Sequence, residues 1–280
     1  MKKLIIISLL IACYSLLPAV FDDYQPSARA RGMAGAYTAI SDDINGIFFN
    51  PAGVANNGYE ASLGYSNLNG ESFSKFKSLA LGAPLPKKLG NLGFGIRMLD
   101  VDFEEHTLQS EQIYSLSHAL CLQKDIHSEI NIGYNLNYYR LAWDDDDSDG
   151  AIGIDLGFSA LLHTRTRLAF SVTNLNKAKM GFENQIDLPS KLALGISYLP
   201  YDKVTTSIEV KKDFAQETEF MGGVEAQILE PLSLRFGVHQ NPATYSVGAS
   251  FSLEGVKLDY AFTLHSVLAP THYLNLGYRY

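Results

Sequence analysis

The most acidic stretch of the chain, Asp144 to Gly150, has the residue types of a calcium-binding loop. Asp145, Asp147 and Asp149 occupy alternate positions, so their carboxylates can converge on a hard cation while Gly150 permits a sharp turn. Leu156 stands where such a loop carries a bidentate glutamate. We therefore predict a solvated acidic loop, in which these three aspartates are weak metal candidates, and no metal site.

The remaining residues with catalytic chemistry do not form a recognisable motif. Seven histidines are scattered along the chain, and no pair has the spacing of a zinc-binding H-E-x-x-H helix. A nucleophile elbow of the form G-x-S-x-G is also missing from the sequence. Glycine-rich pieces such as GNLGFGI lack the lysine of a phosphate-binding loop. The sequence predicts no enzyme and no cofactor.

The charge of the chain argues against a nucleic-acid partner. The formal net charge is −8 at pH 7, and no basic stripe appears along the 280 residues. Nucleic-acid-binding proteins carry clustered lysine and arginine, which neutralise phosphates. We therefore expect no nucleic-acid partner.

The first residues are typical of a secretory signal peptide. Lys2 and Lys3 precede an apolar run from Leu4 to Ala12, and polar sequence begins at Asp22. We assign residues 1–21 to this leader, with cleavage near residues 19–21. A second possibility is lipoprotein processing at Cys13, because Leu10 to Cys13 matches the lipoprotein box. Cys121 is the other cysteine, so no intramolecular disulfide is expected in the exported protein.

From residue 57 onward the chain repeats alternating apolar and polar residues. In the last repeat Leu274, Leu276 and Tyr278 share one face, whereas Asn275 and Gly277 lie on the other. Each repeat runs for about ten residues and ends in a turn, which is typical of strands with one apolar and one polar face. About fourteen strands are predicted, at residues 57–67, 73–84, 91–102, 109–122, 128–143, 150–162, 166–175, 189–199, 203–211, 218–228, 232–239, 244–253, 256–264 and 271–280.

Two features favour a transmembrane barrel over a soluble sandwich. The polar faces are rich in Gly, Ser, Ala and Asn, whereas a solvated sandwich face usually carries Lys, Glu and Thr. Aromatic residues also stand at strand ends, where a barrel places its two aromatic girdles: Tyr59, Tyr65, Tyr138, Trp143, Tyr198, Tyr201, Tyr278 and Tyr280. Lipid cannot satisfy a free sheet edge, so the sheet must close. We predict an all-β, antiparallel transmembrane barrel over residues 57–280.

The connections alternate in character as well. If the first strand starts in the periplasm, the periplasmic turns include PKKLGN, HTRTR, LPYDK and LEG, and the extracellular links are longer and more charged. The polar faces then line the lumen, and their charges of both signs favour ion pairing over a selectivity ring. The predicted lumen charges are Asp155, Arg167, Lys191, Glu209, Glu225, Arg235, Lys257, Asp259 and Arg279.

Residues 22–56 do not alternate and are predicted to fill the lumen. A fourteen-stranded barrel leaves an open interior, and the small residues of this segment allow a short helix to lie close to the wall. Arg29 and Arg31 could pair with lumen carboxylates such as Asp155, Glu209, Glu225 or Asp259. The segment is therefore predicted to be a short helical hatch, or plug.

The N-terminal stretch SARARGMAGAYTAISDDINGIFFNPAG resembles the signature of the PorV/PorQ family, within the wider FadL-like outer-membrane barrels. The resemblance implies an N-terminal hatch inside the barrel. FadL-like members pass hydrophobic molecules across the outer membrane, and PorV-like members receive secreted cargo with the type IX secretion system. The predicted hatch residues are Arg29, Arg31, Gly32, Met33, Gly35, Asp42, Asp43, Asn50 and Pro51.

Together these observations predict a bacterial outer-membrane barrel that passes small hydrophobic molecules. The alternatives are a PorV-like, secretion-associated barrel that binds cargo or partner proteins, and a structural barrel without substrate. The expected partners are outer-membrane lipid and lipopolysaccharide, whose phosphates divalent cations could bridge to the acidic loop. The barrel assembly machinery, which reads a terminal aromatic residue such as Tyr280, is expected as well, together with a hydrophobic ligand or secretion-system proteins.

Overall fold

The structure is a computed structural model that describes residues 21, 26–86, 89–104, 106–143, 147–181, 185–214 and 216–280. The predicted leader apart from Phe21, including Cys13, lies outside the described residues, as do Asp145 and the two lysines of the PKKLGN turn.

Within the described residues, fourteen antiparallel strands close into a barrel, each paired with its neighbours in chain order. The seam joins the first and last strands, from Glu60 opposite Arg279 to Asn67 opposite His272. The barrel strands are β1 (Glu60–Asn67), β2 (Ser74–Pro84), β3 (Asn91–Phe103), β4 (His106–Lys124), β5 (Ser128–Trp143), β6 (Asp147–Leu162), β7 (Thr166–Thr173), β10 (Lys191–Tyr201), β11 (Val204–Asp213), β12 (Thr218–Leu229), β13 (Leu232–Gln240), β14 (Thr244–Leu253), β15 (Val256–His265) and β16 (Thr271–Arg279).

The predicted closed barrel of about fourteen strands is confirmed. The strand limits differ most at β1, which starts at Glu60 rather than 57, and at β4 and β6, which start at His106 and Asp147 rather than at 109 and 150. Alternation marks a strand where one face meets an apolar environment, but backbone pairing continues past that point. A pattern of hydrophobicity therefore misses the polar starts of β4 and β6, whereas at β1 the alternation begins before the strand pairing does.

The acidic stretch contains one of these strand ends, because β6 starts earlier than predicted. Asp147 pairs with Trp143 and Asp149 pairs with Leu141 in the β5–β6 ladder, so the chain from Asp147 to Gly150 is strand rather than loop. An extended, ladder-paired backbone cannot wrap around a cation as a calcium loop does. Asp149 Oδ1 instead accepts a hydrogen bond from Gly150 N at 2.7 Å.

The two faces of the strands differ as the alternation predicts. Outward leucines such as Leu63, Leu136 and Leu276 are about half exposed, at 54%, 49% and 49%. Inward polar residues such as Ser117 and Asn137 are fully buried. The apolar surface of the sheet is thus outside the barrel. Among the described helices, none is both long enough and apolar enough to cross a membrane.

Residues 26–56, which we call the N-terminal segment, form three short helices. These are α1 (Ala28–Gly32) and two 3₁₀ helices, Ile44–Phe48 and Pro51–Val54. Each is capped by the side chain of the preceding residue, Ser27, Asp43 or Asn50, which accepts a backbone N–H two or three residues ahead. Short helices of small residues have little intrinsic stability, so contacts with the barrel must hold this conformation.

The link between β7 and β10 contains two further strands that the sequence did not predict. β8 (Lys179–Met180) and β9 (Ile186–Asp187) pair with each other. The link also covers the edge of β6, because β7 pairs with β6 only as far as Leu156. There Asn176 replaces a strand: its Oδ1 accepts from Ile154 N at 2.9 Å and its Nδ2 donates to Ile152 O at 2.8 Å.

Candidate functional site

The N-terminal segment is held by polar side chains that point into the barrel from strands all around it. Ala28 N donates to Asn275 Oδ1 on β16, and Ile44 N donates to Glu60 Oε2 on β1, both at 2.7 Å. Further contacts join Thr38 to Glu209 on β11, Ile47 O to Asn135 on β5 and Val54 O to Asn91 on β3. The inward-facing polar residues therefore satisfy backbone groups that no helix or sheet would satisfy.

Arg29 is the centre of an ion-pair network. Its Nε and Nη2 both donate to the Glu225 carboxylate at 2.9 Å, which is the bidentate geometry of a strong pair. Its Nη1 reaches Asp42 Oδ1 at 2.5 Å and Asp43 Oδ2 at 3.1 Å. The Tyr37 hydroxyl donates to Asp43 Oδ2 at 2.7 Å. One arginine thus joins two parts of the segment to β12.

The network continues along the barrel wall. Arg235 Nε donates to Glu225 Oε2 at 2.5 Å, and Arg235 Nη1 donates to Asp259 Oδ1 at 3.1 Å. Lys257 Nζ lies 3.6 Å from Asp259 Oδ1. We call these residues the ion-pair network: Arg29, Asp42, Asp43, Glu225, Arg235, Lys257 and Asp259. Charges of both signs alternate along the network, which contains three cationic side chains and four carboxylates.

The segment's own titratable groups show shifted pKa values. Burial disfavours the charged form of Asp43, but Arg29 and Lys257 outweigh this effect and lower the pKa of its carboxyl. Burial, together with Asp43 and Asp42, raises the pKa of Tyr37 well above its usual value, although Arg29 acts against it. Tyr37 thus stays a hydroxyl donor and Asp43 stays an ionised acceptor at neutral pH.

The structure distinguishes among the partners that the sequence left open for the two arginines. Arg29 contacts Glu225, whereas the Arg31 guanidinium lies over the Tyr273 ring, 5.1 Å from its centroid. Asp155 instead accepts hydrogen bonds from Asn174 N at 2.9 Å and from Asn137 Nδ2 at 2.6 Å. Register along the strands, which alternation does not reveal, decides which inward carboxylate lies beside which part of the segment.

The other predicted hatch residues lie in close contact with the barrel wall. Met33 is fully buried, and its carbonyl carbon would lie 2.4 Å from a Cβ added to Gly237 on β13. Gly32 approaches Gly248, and Gly35 has a positive φ of 90° that favours glycine. Asn50 donates to Thr38 O and Phe158 O, and Pro51 lies against Gly133.

The remaining predicted lumen charges lie at both ends of the barrel. Lys191 Nζ is 3.6 Å from Asp213 Oδ2. Arg279 pairs with Glu60 and also donates to Asp42 O at 3.0 Å. Arg167 lines a polar cavity at the barrel end where β1 begins. Over the described ranges, no three His, Cys, Asp or Glu side chains are placed to hold a metal ion.

A polar cavity of about 660 Å³ opens at the barrel end where β1 begins. The β10–β11 and β14–β15 turns lie at this end, which the sequence assigns to the periplasm. Its walls are formed by the ion-pair network and by residues such as Asn57, Arg167, Lys203 and Gln227. Both signs of charge line it, so it has the character of a hydrated vestibule rather than of a site for an apolar molecule.

The opposite half of the interior holds an apolar cluster: Phe21, Ile113, Tyr139, Leu141, Met180 and Leu188. The Phe21 ring meets Tyr139 edge to face, with centroids 5.2 Å apart and an interplanar angle of 88°. Met180 and Leu188 come from the β7–β10 link, and the others from β4, β5 and the chain before the N-terminal segment. The apolar cluster encloses the phenyl ring of Phe21.

The apolar cluster was not predicted, although the sequence contains a signal for it. The inward series on β5 runs through Asn131, Asn135 and Asn137 and then changes to Tyr139 and Leu141 in the same phase. Apolar residues that continue the polar phase of a strand indicate an apolar patch inside a barrel. Phe21 gives no such signal, because the sequence placed it within the leader.

No family model matches the chain, and no curated protein matches it in sequence. Solved structures match it in fold. The CymD monoaromatic hydrocarbon channel has a TM-score of 0.68 and 12% identity, over 93% of this chain and 99% of that chain. The Pseudomonas putida toluene transporter TodX has a TM-score of 0.58 and 12% identity, over 92% and 98%. A Pseudomonas aeruginosa FadL homologue has a TM-score of 0.57 and 10% identity, over 91% and 98%. The chain therefore has the fold of FadL/TodX-type outer-membrane channels.

Proposed function

We propose that the protein is a bacterial outer-membrane channel for small hydrophobic molecules, which bind first at the apolar cluster. The observation that carries this proposal is the enclosed phenyl ring of Phe21, since a site that packs around one aromatic ring fits another of similar size. The apolar outer face and the absence of a free edge among the barrel strands suit a lipid environment.

The path through the barrel follows from the order of its contents. The apolar cluster lies at the end assigned to the cell exterior, the polar cavity lies at the other end, and the N-terminal segment lies between them. In this proposal the segment acts as the hatch. A molecule that leaves the apolar cluster passes only when some of the segment's contacts open, so the barrel does not leak ions at rest.

The fold relatives support the same assignment. CymD is described as a monoaromatic hydrocarbon channel and TodX as a toluene transporter. The chemistry of this chain's own apolar cluster agrees with an uncharged, ring-sized molecule. The carboxylate beside the cluster, Glu111, accepts hydrogen bonds from Phe21 N and from Gln109 Nε2, both at 2.7 Å.

The test compares ligand binding and uptake in wild type and three variants. Leu141→Asp places a carboxylate in the apolar cluster, and we expect it to abolish binding of labelled toluene to the purified protein and uptake by cells that express it. Phe21→Ala vacates space for a ring, and dry apolar cavities bind benzene-sized molecules, so binding should tighten. Phe214→Ala, at an exposed site, is the control. Unchanged binding and uptake in Leu141→Asp would contradict the proposal.

The secretion-associated alternative rests on the N-terminal resemblance to the PorV/PorQ family. It is separated from transport by a pull-down with intact membranes. A stable complex with secretion-system proteins, together with wild-type uptake in Leu141→Asp, would favour that alternative.

A further inference from the structure

Two buried polar side chains lie next to the apolar cluster on the inner faces of β4 and β5. Ser115 and Asn137 are opposite each other in the β4–β5 ladder, and each is two residues along its strand from a member of the cluster, Ile113 or Tyr139. They are 1% and 0% exposed. Asn137 Nδ2 donates to Asp155 Oδ2, but Asn137 Oδ1 and Ser115 Oγ have no hydrogen-bond partner among the described residues. Buried polar atoms are normally paired, so this pair of neighbours requires an explanation.

Arg97 on β3 adds a cation to these two side chains. It is opposite Ile113 in the β3–β4 ladder, and its Nε is likewise buried without a partner among the described residues. No carboxylate in the part of the chain that the structure describes lies within ion-pair distance of Arg97, whereas Arg29 and Arg235 both pair with Glu225. We call Arg97, Ser115 and Asn137 the polar group. It offers two hydrogen-bond donors and one acceptor on adjacent strands.

An aromatic ring of the N-terminal segment lies against the polar group. The Arg97 guanidinium is over the Phe48 ring, 5.3 Å from its centroid. The same ring would lie 2.6 Å, at Cε1, from a Cβ added to Gly95, which is the neighbour of Ser115 in the β3–β4 ladder. A phenyl group cannot use the hydrogen bonds that this part of the wall offers, whereas a hydroxylated ring could.

We propose that the position of the Phe48 ring is a second ring-binding site and that its ligand is a phenol. The inference rests on the proposed function, because the ligand would arrive from the apolar cluster as the N-terminal segment opens. A phenolic hydroxyl can donate to Asn137 Oδ1 and accept from Ser115 Oγ or Arg97 Nε. A carboxylate only accepts hydrogen bonds, so it would leave Asn137 Oδ1 unpaired. The ring of the ligand would replace Phe48 over the guanidinium.

The polar group gives the channel a preference that an apolar site would not have. Phenol and toluene have nearly the same shape, since a hydroxyl replaces a methyl group, and phenol is uncharged at neutral pH because aromatic hydroxyls titrate near pH 10. An apolar site favours toluene, which loses no hydrogen bonds to water on binding. A site that binds a hydroxyl by hydrogen bonds discriminates against the analogue that lacks it. The ratio of the two dissociation constants therefore reports on the polar group separately from the apolar cluster.

The first test measures that ratio in protein purified from the outer membrane, in wild type, Ser115→Ala, Arg97→Met and Ser66→Ala. Ser66 on β1 is the matched control, because it is also 1% exposed and its Oγ also has no partner among the described residues. We expect Ser115→Ala and Arg97→Met to weaken phenol binding relative to toluene about three- to tenfold, as loss of one hydrogen bond does. Ser66→Ala should keep the wild-type ratio. An unchanged ratio in both test variants overturns the inference, while toluene binding by wild type still supports the proposed function.

The second test empties the site. Phe48→Ala removes the ring over Arg97, whereas Phe49→Ala removes the adjacent ring, which meets Tyr37 instead with centroids 5.0 Å apart. We expect Phe48→Ala to bind phenol more tightly than wild type does, and the gain to shrink about three- to tenfold when Ser115→Ala is added. A gain for toluene alone, or equal gains in Phe48→Ala and Phe49→Ala, overturns the inference. If wild type binds neither compound, the proposed function fails and this inference fails with it.

Discussion

A single guanidinium, that of Arg29, forms ion pairs with three carboxylates. Arg29→Met would leave Glu225, Asp42 and Asp43 without it in a largely buried site. Removing one partner of a buried pair costs about 3–5 kcal/mol, so we expect a loss of this order in urea unfolding from detergent micelles. Arg165→Met removes an exposed pair with Asp202 and should cost less than about 1 kcal/mol. Similar losses in both variants would show that Arg29 has no special role.

The lowered pKa of Asp43 predicts a pH dependence with a defined sign. A carboxyl whose folded-state pKa is depressed stabilises the folded state above its unfolded value, near pH 4, and this contribution is lost as pH falls through the folded value. Wild type should therefore exceed Asp43→Asn in stability by a constant amount from pH 5 to 7. The difference should shrink steadily below pH 4. Urea unfolding at pH 7, 5, 4 and 3 measures it, and a difference that grows on acidification would contradict the assignment.

At the residue scale, the sequence predicted a set of inward charges but not Glu60, Glu111 or the apolar cluster. Inward charges are visible in the sequence because they alternate with outward-facing leucines. The carboxylate that pairs with Arg29 is determined by the register between strands and by the path of the N-terminal segment. Neither can be read from the sequence of a single strand. The apolar cluster joins Phe21, β4, β5 and the β7–β10 link, so its members are far apart in the chain and become neighbours only after closure.

The packing of the N-terminal segment against strand glycines can be tested at the scale of the element. A Cβ added to Gly133 on β5 would lie 2.5 Å from the Pro51 carbonyl carbon, so Gly133→Ala must displace the second 3₁₀ helix. Overpacking of this kind costs about 1–3 kcal/mol. We expect a lower urea midpoint and faster proteolytic cleavage within residues 26–56.

Gly222→Ala is the matched control on β12. The nearest atoms to its added Cβ are 3.9 Å away, so the methyl group fits without displacement. Because alanine restricts the unfolded chain more than glycine does, stability should be unchanged or slightly raised. Equal proteolysis in the two variants would mean that the segment does not depend on the close approach at Gly133.

The elements themselves were largely predictable, for a physical reason. A two-residue period survives wherever a sheet separates lipid from a polar interior, and it identifies every barrel strand from β1 to β16. β8 and β9 are only two residues long each and have no such period. The helices of the N-terminal segment are short and depend on side-chain caps and barrel contacts, so their limits follow from tertiary structure rather than from propensity.

The apolar exterior makes a prediction about the whole molecule. Leu136 faces outward near the middle of β5, and Leu136→Arg should lower the free energy of unfolding in phospholipid vesicles by about 2–4 kcal/mol, as arginine does at the bilayer midplane. Val267→Arg changes an exposed residue of the β15–β16 link and should leave stability nearly unchanged. Urea titration of folding into vesicles compares them. A neutral Leu136→Arg would place this face in water.

The seam of the barrel is tied to the N-terminal segment as well as to itself. Glu60 and Arg279 form the first rung between β1 and β16, Ile44 N binds Glu60, and Arg279 donates to Asp42 O. β1 and β16 are thus joined by a set of contacts that is complete only when the N-terminal segment is in place. Pairing of β1 with β16 and packing of the N-terminal segment inside the barrel would then be one cooperative event. A barrel that closed without the N-terminal segment would lack the hydrogen bonds that Ile44 and Asp42 make at this seam.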